Sequence, residues 1–200
     1  MILIVNYKMG NLGNVERAVK RYCDNVLVSE NPLDLMNAKK IILPGVGAFG
    51  KAMRNLNEAG WIEPLNKAFD KNIPILGICL GLQLFFTESE ESPQTRGLGW
   101  INDKIIRFKR AKKIPHIGWN NVKWSSVNLL NNNIPDDKYF YFVHSYYAPL
   151  REDYTSGITD YENERFTSVI KKDNLYATQF HPEKSHINGL KIIENFILKV

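Results

Sequence analysis

Long apolar runs and cysteines are scarce in this chain. No stretch of its 200 residues approaches the roughly 20 apolar residues that span a bilayer, so we predict no membrane segment. The first residues, Met1 to Asn6, lack the basic start and the cleavage site of a signal peptide. Only two cysteines are present, Cys23 and Cys79, which is too few for a disulfide framework. We therefore expect a protein of the reducing cytoplasm.

A recognisable nucleic-acid-binding motif is also missing, although the formal net charge is +5. The basic residues include one cluster, from Arg107 to Lys113, and no such motif accompanies it. We therefore expect no nucleic acid partner. The cluster is interpreted as a solvated loop or, alternatively, as a rim that faces an acidic protein or an anionic ligand.

Strand-like and helix-like segments alternate in the first half of the chain. The apolar pattern predicts strands at 2–5, 25–29, 41–43 and 73–77, and helices at 14–22, 51–57, 62–71 and 80–86. This order predicts a parallel sheet covered by helices, because parallel neighbours need a crossover connection.

The second half is richer in strand-like segments. Candidate strands lie at 104–108, 121–123, 139–143, 157–161, 167–172 and 175–178, with polar loops at 88–94 and 128–137 and a closing helix at 187–200. No repeat or domain break is visible. We predict one α/β domain over 1–200, with a mostly parallel central sheet, flanking helices and added antiparallel strands in the second half.

The most informative motif is Gly77-Ile78-Cys79-Leu80-Gly81-Leu82, directly after the apolar run 73–76. It has the strand–elbow–helix pattern of the G-x-S-x-G turn, with sulfur in place of oxygen. Glycines flank such a nucleophile because its strained backbone leaves no room for neighbouring side chains. We predict that Cys79 is a nucleophile. The alternative, a small buried apolar residue, becomes weak once a base is found.

A base and an orienting acid occur together in Gln179-Phe180-His181-Pro182-Glu183. Residues i and i+2 of an extended segment point the same way, so Glu183 can hold one ring nitrogen of His181 while the other faces the thiol. This predicts a Cys79–His181–Glu183 triad in which the imidazolium and the start of the following helix favour the thiolate.

An oxyanion hole needs backbone N–H donors near the nucleophile. The amide of Leu80 is one candidate, and the glycine-rich turn 43–50, with Val46 and Gly47, is placed to supply another. A plain β–α connection is the alternative reading of that turn, for which glycine is routine.

With these residues in place, the chain resembles the class I, triad-type glutamine amidotransferases. Within that family it is most similar to glutaminase subunits that work with a cyclase. The segments that carry the resemblance span nearly the whole chain: Tyr7-Lys8-Met9-Gly10-Asn11-Leu12, Leu43-Pro44-Gly45-Val46-Gly47-Ala48-Phe49, Gly77-Ile78-Cys79-Leu80-Gly81-Leu82-Gln83, the loop Pro115-His116-Ile117-Gly118-Trp119-Asn120, Tyr141-Phe142-Val143-His144-Ser145-Tyr146, and Gln179-Phe180-His181-Pro182-Glu183-Lys184-Ser185.

The resemblance implies hydrolysis of L-glutamine through a glutamyl thioester, without a metal or organic cofactor. The ammonia would pass to a (β/α)8-barrel cyclase subunit that makes imidazole glycerol phosphate and an aminoimidazole carboxamide ribotide in histidine biosynthesis. By the same resemblance, the oxyanion hole takes Leu80, Val46 and Gly47. Glutamine binding falls to Gly45, Gln83, Glu88, Ser145 and Tyr146, and the partner interface and ammonia exit to Asn11, Trp119, Tyr141 and Lys184. His116 and His144 are expected to be hydrogen-bonded structural residues.

Two departures from the family pattern concern the partner-facing rim. Lys8 stands where the family usually has glycine, and Tyr161-Glu162-Asn163-Glu164 replaces a Tyr-Gly turn. A paralogue that supplies ammonia for amidination of a bacterial surface sugar stays open as an alternative, because the acceptor binds elsewhere and the glutaminase sequence separates the two poorly. Two alternatives of other classes also stay open. One is a catalytically silent regulatory or binding subunit, which the retained triad residues disfavour. The other is a cysteine-elbow hydrolase, which the retained Gln83 and His-Pro-Glu-Lys-Ser segment disfavour.

Overall fold

The first half of the chain builds the parallel part of a nine-stranded sheet. The computed structural model describes residues 1–200, and its first four strands are β1 (Ile2–Val5), β2 (Val26–Ser29), β3 (Lys40–Gly45) and β4 (Ile75–Cys79). A later strand, β12 (Leu175–Thr178), lies beside β4 in the same direction, which gives the parallel order β2-β1-β3-β4-β12. The predicted parallel sheet is confirmed.

Helices cover both faces of this parallel region. They are α1 (Leu12–Val19), α2 (Phe49–Glu58), α3 (Ile62–Asp70), the short α4 (Leu80–Gln83) and α5 (His186–Leu198), with 3₁₀ turns at Pro32–Asn37 and Pro182–Lys184. Strand residues alternate between two apolar cores. Leu3 and Val5 face the core that contains α2 and α3, whereas Ile2 and Ile4 face the core that contains α1 and α5. The helices are too short or too polar to cross a bilayer.

The second half extends the sheet with antiparallel strands. From β12 outward the order is β11 (Glu164–Lys172), β10 (Thr155–Tyr161), β7 (His116–Trp124) and β8 (Lys138–His144). A small separate sheet contains β5 (Phe86–Ser89), β6 (Ile101–Arg107) and β9 (Tyr146–Tyr147). The end of β8 and all of β9 thereby lie near the end of β4, where Cys79 is found.

Three local predictions were wrong. The helix predicted at 80–86 ends at Gln83, and the loop predicted at 88–94 begins inside β5, which pairs with β6 from Phe86 onward. A short apolar run such as 80–86 fits a helix or a buried strand equally well by its pattern, and pairing decided it. The expected loop 115–120 is mostly strand β7, because His116 to Asn120 pair with β8.

Candidate active site

The elbow at Cys79 has the strained backbone that its sequence predicts. Cys79 adopts φ +54° at the end of β4, a region that few residues other than glycine occupy. The residues two positions before and after Cys79 must be glycine, because a side chain at either position would clash with neighbouring atoms. A Cβ on Gly81 would lie 1.8 Å from the carbonyl oxygen of Leu43, and one on Gly77 would lie 2.7 Å from Cζ of Phe85. The chain therefore turns sharply enough to present the thiol at the edge of the sheet.

The helix after the elbow is shorter than expected. α4 contains four residues, so it supplies a much smaller N-terminal dipole than the predicted seven-residue helix would. The charged partner near Cys79 is instead the imidazole of His181.

His181 and Glu183 are joined as the i, i+2 spacing predicts. Nδ1 of His181 and Oε1 of Glu183 are 2.8 Å apart, and each side chain is 2% exposed. The backbone is held as well: the His181 amide donates to the Tyr141 carbonyl at 2.9 Å, and the Ser185 hydroxyl donates to the His181 carbonyl at 2.6 Å. Burial fixes the pair in one orientation, which leaves Nε2 as the ring nitrogen without a protein hydrogen-bond partner.

The electrostatics of His181 favour its charged form. Burial lowers the pKa of His181, but the Cys79 thiolate and the Glu183 carboxylate outweigh burial and raise this pKa to about 10. This raised pKa favours the imidazolium form of His181 at neutral pH. Such a ring can stabilise a thiolate and then donate a proton to a leaving group.

Cys79 and His181 open into one cavity of about 240 Å³. The predicted residues on its wall are Cys79, His181, Leu80, Val46, Gly47, Gln83, Ser145 and Tyr146, and its other lining residues are Glu91, Pro115, Val143 and His144. Gly47 has φ +100°, so the turn after β3 uses a conformation that favours glycine. The wall thus brings together the thiol of Cys79, the imidazole of His181 and the glycine turn at 46–47, which are far apart in the sequence. No group of three or more His, Cys, Asp or Glu side chains is arranged to hold a metal ion.

Two of the residues predicted to bind glutamine do not line the cavity. Glu88 is exposed on β5 and lies outside the cavity, and the carboxylate in the wall belongs to Glu91. Gly45 is buried and does not line the cavity, and a Cβ there would lie 2.4 Å from the Tyr7 hydroxyl, so close packing requires glycine at this position. A contact of its backbone with glutamine stays a prediction. The polar segment 88–94 offered several acidic residues, and the bend that follows β5 determined which of them faces Cys79.

Glu91 and Gln179 are site residues that sequence reasoning did not single out. Oε2 of Glu91 accepts from the Phe49 amide at 2.7 Å, so this carboxylate also holds the start of α2, next to the glycine turn. The Gln179 side-chain amide lies 3.8 Å from Sγ of Cys79 and accepts from the Gln83 amide at 3.2 Å. The only sequence signal for Gln179 was its place two residues before His181.

The four residues expected at a partner interface lie outside the cavity. Trp119 on β7 pairs with Tyr141 on β8, and its ring, 44% exposed, stacks on His186 with centroids 4.9 Å apart. Lys184 lies in the 3₁₀ turn directly after His181, and α1, which begins after the exposed Asn11, packs against that turn. The structure brings Trp119, Tyr141 and Lys184 to one face beside the triad, with Asn11 at the start of the adjacent helix.

The basic cluster 107–113 is held by carboxylates through its backbone. Glu164 accepts from the amides of Lys109 and Arg110 at 2.7 Å each and from Ala111 at 3.1 Å, and Glu162 accepts from Lys112. The unusual turn after β10 therefore anchors this segment. Its charged side chains remain exposed, which fits either interpretation, a solvated loop or a rim.

The comparisons with known proteins agree with this geometry. The family model of class-I glutamine amidotransferases matches residues 3–200. A solved glutamine amidotransferase superposes with a TM-score of 0.76 at 16% identity, covering 99% of this chain and 100% of the other, and PurLQS from Thermotoga maritima with 0.73 at 15%, covering 98% and 96%. At these identities the structures show the fold alone. The chain belongs to the class I glutamine amidotransferases.

Curated relatives narrow the position within this class. The chain is 51% identical over 197 residues to the imidazole glycerol phosphate synthase subunit HisH of Methanocaldococcus jannaschii, and 47% over 201 residues to HisH 1 of Methanococcus maripaludis, with 98% of each chain covered. It is 46% identical to HisH of Desulfitobacterium hafniense, covering 98% of this chain and 93% of that protein. Within the class, the chain belongs to the HisH family.

Proposed function

We propose that this protein is a glutaminase that hydrolyses L-glutamine at Cys79 and passes the ammonia to a cyclase subunit, as part of imidazole glycerol phosphate synthase in histidine biosynthesis. The observation that carries the chemistry is the buried His181–Glu183 pair, 2.8 Å apart, beside a cysteine on a strained elbow. The near full-length similarity to HisH subunits supports the pathway.

The chemistry divides into two halves at the same sulfur. The Cys79 thiolate attacks the side-chain amide carbon of glutamine, and the developing oxyanion is held by backbone amides of Leu80 and of the Val46–Gly47 turn. The His181 imidazolium gives its proton to the departing nitrogen as the C–N bond breaks. The nitrogen leaves as ammonia, and the glutamyl group remains on Cys79 as a thioester. His181, now neutral, takes a proton from water, whose oxygen attacks the thioester and releases glutamate.

The wall of the cavity orients the substrate. Glu91 is the only carboxylate on that wall, so it is the group that pairs with the α-ammonium of glutamine. Ser145 and Tyr146 line the same cavity as Cys79 and provide polar contacts to the remaining backbone groups of the substrate. The side chains of Gln83 and Gln179 are hydrogen-bonded to each other, and the Gln179 amide lies 3.8 Å from Sγ of Cys79. Together they support the part of the cavity beside the nucleophile.

The partner is a (β/α)8-barrel cyclase that docks over the face of Trp119, Tyr141, Lys184 and Asn11. Two of these side chains, Trp119 and Asn11, are exposed. A covered path is needed because ammonia released into water becomes protonated and loses its nucleophilicity. A cytoplasmic location follows from this biosynthetic role.

A glutaminase assay of Cys79→Ala tests the proposal. The protein is purified with its cyclase, and glutamate release is followed with and without the cyclase ligand. The unaltered complex should be slow alone and much faster with ligand, whereas Cys79→Ala should lose at least about a thousandfold in kcat, since no other group can form the thioester. Cys23→Ala, at the half-buried second cysteine, is the matched control and should keep full activity. Undiminished turnover by Cys79→Ala would refute the triad.

A further inference from the structure

Two buried histidines outside the triad form a hydrogen-bonded row that ends at the glutamine cavity. Nδ1 of His116 and Nε2 of His144 are 3.1 Å apart, and Nδ1 of His144 is 2.9 Å from the Tyr146 carbonyl. At the other end, the Asn120 side-chain amide donates to the Asp160 carbonyl at 2.9 Å and lies 3.4 Å from Nε2 of His116. The row therefore runs from the pairing region of β7 and β10 to the cavity wall.

The partners fix the direction of every donor in the row. A carbonyl oxygen only accepts, so Nδ1 of His144 carries a proton and its Nε2, in a neutral ring, accepts. Nδ1 of His116 must then donate, and its Nε2 accepts from Asn120. A second proton on His144 would point Nε2–H at the Nδ1–H of His116. A second proton on His116 would point Nε2–H at the side-chain N–H of Asn120. Burial agrees with neutral rings: it lowers the pKa of His116 to about 4 and, with the nearby His116, that of His144 to about 3.

The row ends at the Tyr146 carbonyl oxygen, which also accepts a hydrogen bond from a residue of the cavity wall. The Tyr146 carbonyl takes one hydrogen bond from His144 and a second from the Gln83 side chain at 2.9 Å. Because these two hydrogen bonds use both lone pairs of the Tyr146 carbonyl oxygen, they fix the orientation of the peptide plane between Tyr146 and Tyr147. Gln83 in turn contacts Gln179, whose amide reaches the sulfur of Cys79. The wall and the nucleophile thus share one connected network.

We infer that His144, supported by His116 and Asn120, is a positioning residue that sets the Ser145–Tyr146 wall and the Gln83 amide for glutamine binding. This inference rests on the proposed glutaminase function. Neither ring exchanges a proton in the reaction. Their contribution is to hold the wall in the bound geometry before the substrate arrives, so its loss should appear in KM for glutamine more than in kcat.

Steady-state kinetics of the complex separate this role from simple packing. His144→Phe keeps the ring shape and removes both hydrogen bonds, so KM should rise about tenfold while kcat falls less than threefold. His144→Asn retains a donor near the Tyr146 carbonyl and should recover much of the KM. Phe166→Leu is the matched packing control, since its buried ring lies 5.0 Å from that of His144 and makes no polar contact there. It should lower Tm and leave KM within twofold.

A second measurement uses the unaltered protein and needs no substrate. Nitrogen-15 NMR of labelled histidines should find His116 and His144 neutral with the proton on Nδ1. Protons on Nε2, or an equal rise in KM for Phe166→Leu and His144→Phe at equal loss of Tm, would overturn the inference. An unaltered protein that shows both Nδ1 protons but no glutaminase activity would refute the proposed function, and the positioning role with it, while the row itself stood.

Discussion

Replacing Glu183 with glutamine tests the electrostatic basis of the site. Nδ1 of His181 and Oε1 of Glu183 are 2.8 Å apart and both side chains are buried, so the carboxylate acts on the imidazolium with little screening. Unit charges about 4 Å apart interact by about 4 kcal/mol at an effective dielectric constant of about 20. This sets an upper limit of about three pKa units on the contribution of Glu183, because Cys79 raises the pKa of His181 more than Glu183 does. Glu183→Gln should therefore lower the pKa of His181 from about 10, by less than that limit.

The sign of the pH dependence follows from the raised pKa. In the folded protein His181 binds its proton more tightly than in the unfolded chain, where the pKa is about 6.5. The stability that this gives is fully present below pH 6.5 and is lost as the pH rises through about 10. In Glu183→Gln, the loss of the imidazolium, and of glutaminase activity with it, should begin at a lower pH than in the unaltered protein, and kcat at the optimum should fall by about 10² to 10⁴.

The assay combines an NMR titration of the His181 ring with the pH profile of kcat/KM for glutamine. Glu194→Gln is the matched control, because Glu194 pairs with Lys191 on α5 at 3.0 Å and contacts no histidine. It should change neither curve. The reasoning fails if His181 of the unaltered protein titrates near 6.5, or if Glu183→Gln leaves that titration within half a unit of its original value.

Two further substitutions probe packing and substrate binding. Gly81→Ala places a Cβ 1.8 Å from the Leu43 carbonyl oxygen and should lower the free energy of unfolding by about 3 kcal/mol or more in denaturant titration. Gly13→Ala in α1 has open space and should instead raise it by about 0.5–1 kcal/mol; a loss at both sites would contradict the packing argument. Glu91→Gln should raise KM for glutamine about tenfold, whereas the exposed Glu88→Gln should leave KM unchanged, and the reverse order would restore the original assignment.

The catalytic residues could be predicted from the amino-acid sequence because the signals for them are local. The turn at Cys79 needs glycine on both sides within four residues, and His181 and Glu183 are two residues apart, so both could be read without knowledge of the fold. The parallel half of the sheet was equally readable, since apolar strands alternate with amphipathic helices there. The closing helix α5 begins one residue before its predicted start and ends two residues before its predicted end.

Strand pairing in the folded chain brings residues that are distant in sequence together at Cys79. Glu91 instead of Glu88 faces the cavity because β5 pairs with β6 and the chain bends after Ser89, a pairing across residues that no local pattern encodes. Gln179 reaches the sulfur because β12 lies directly beside β4 in parallel register. The histidine row likewise depends on β7 pairing with β8, which places His116 opposite His144 although 28 residues separate them. Local spacing specifies a turn or a dyad, whereas strand pairing specifies the wall around it.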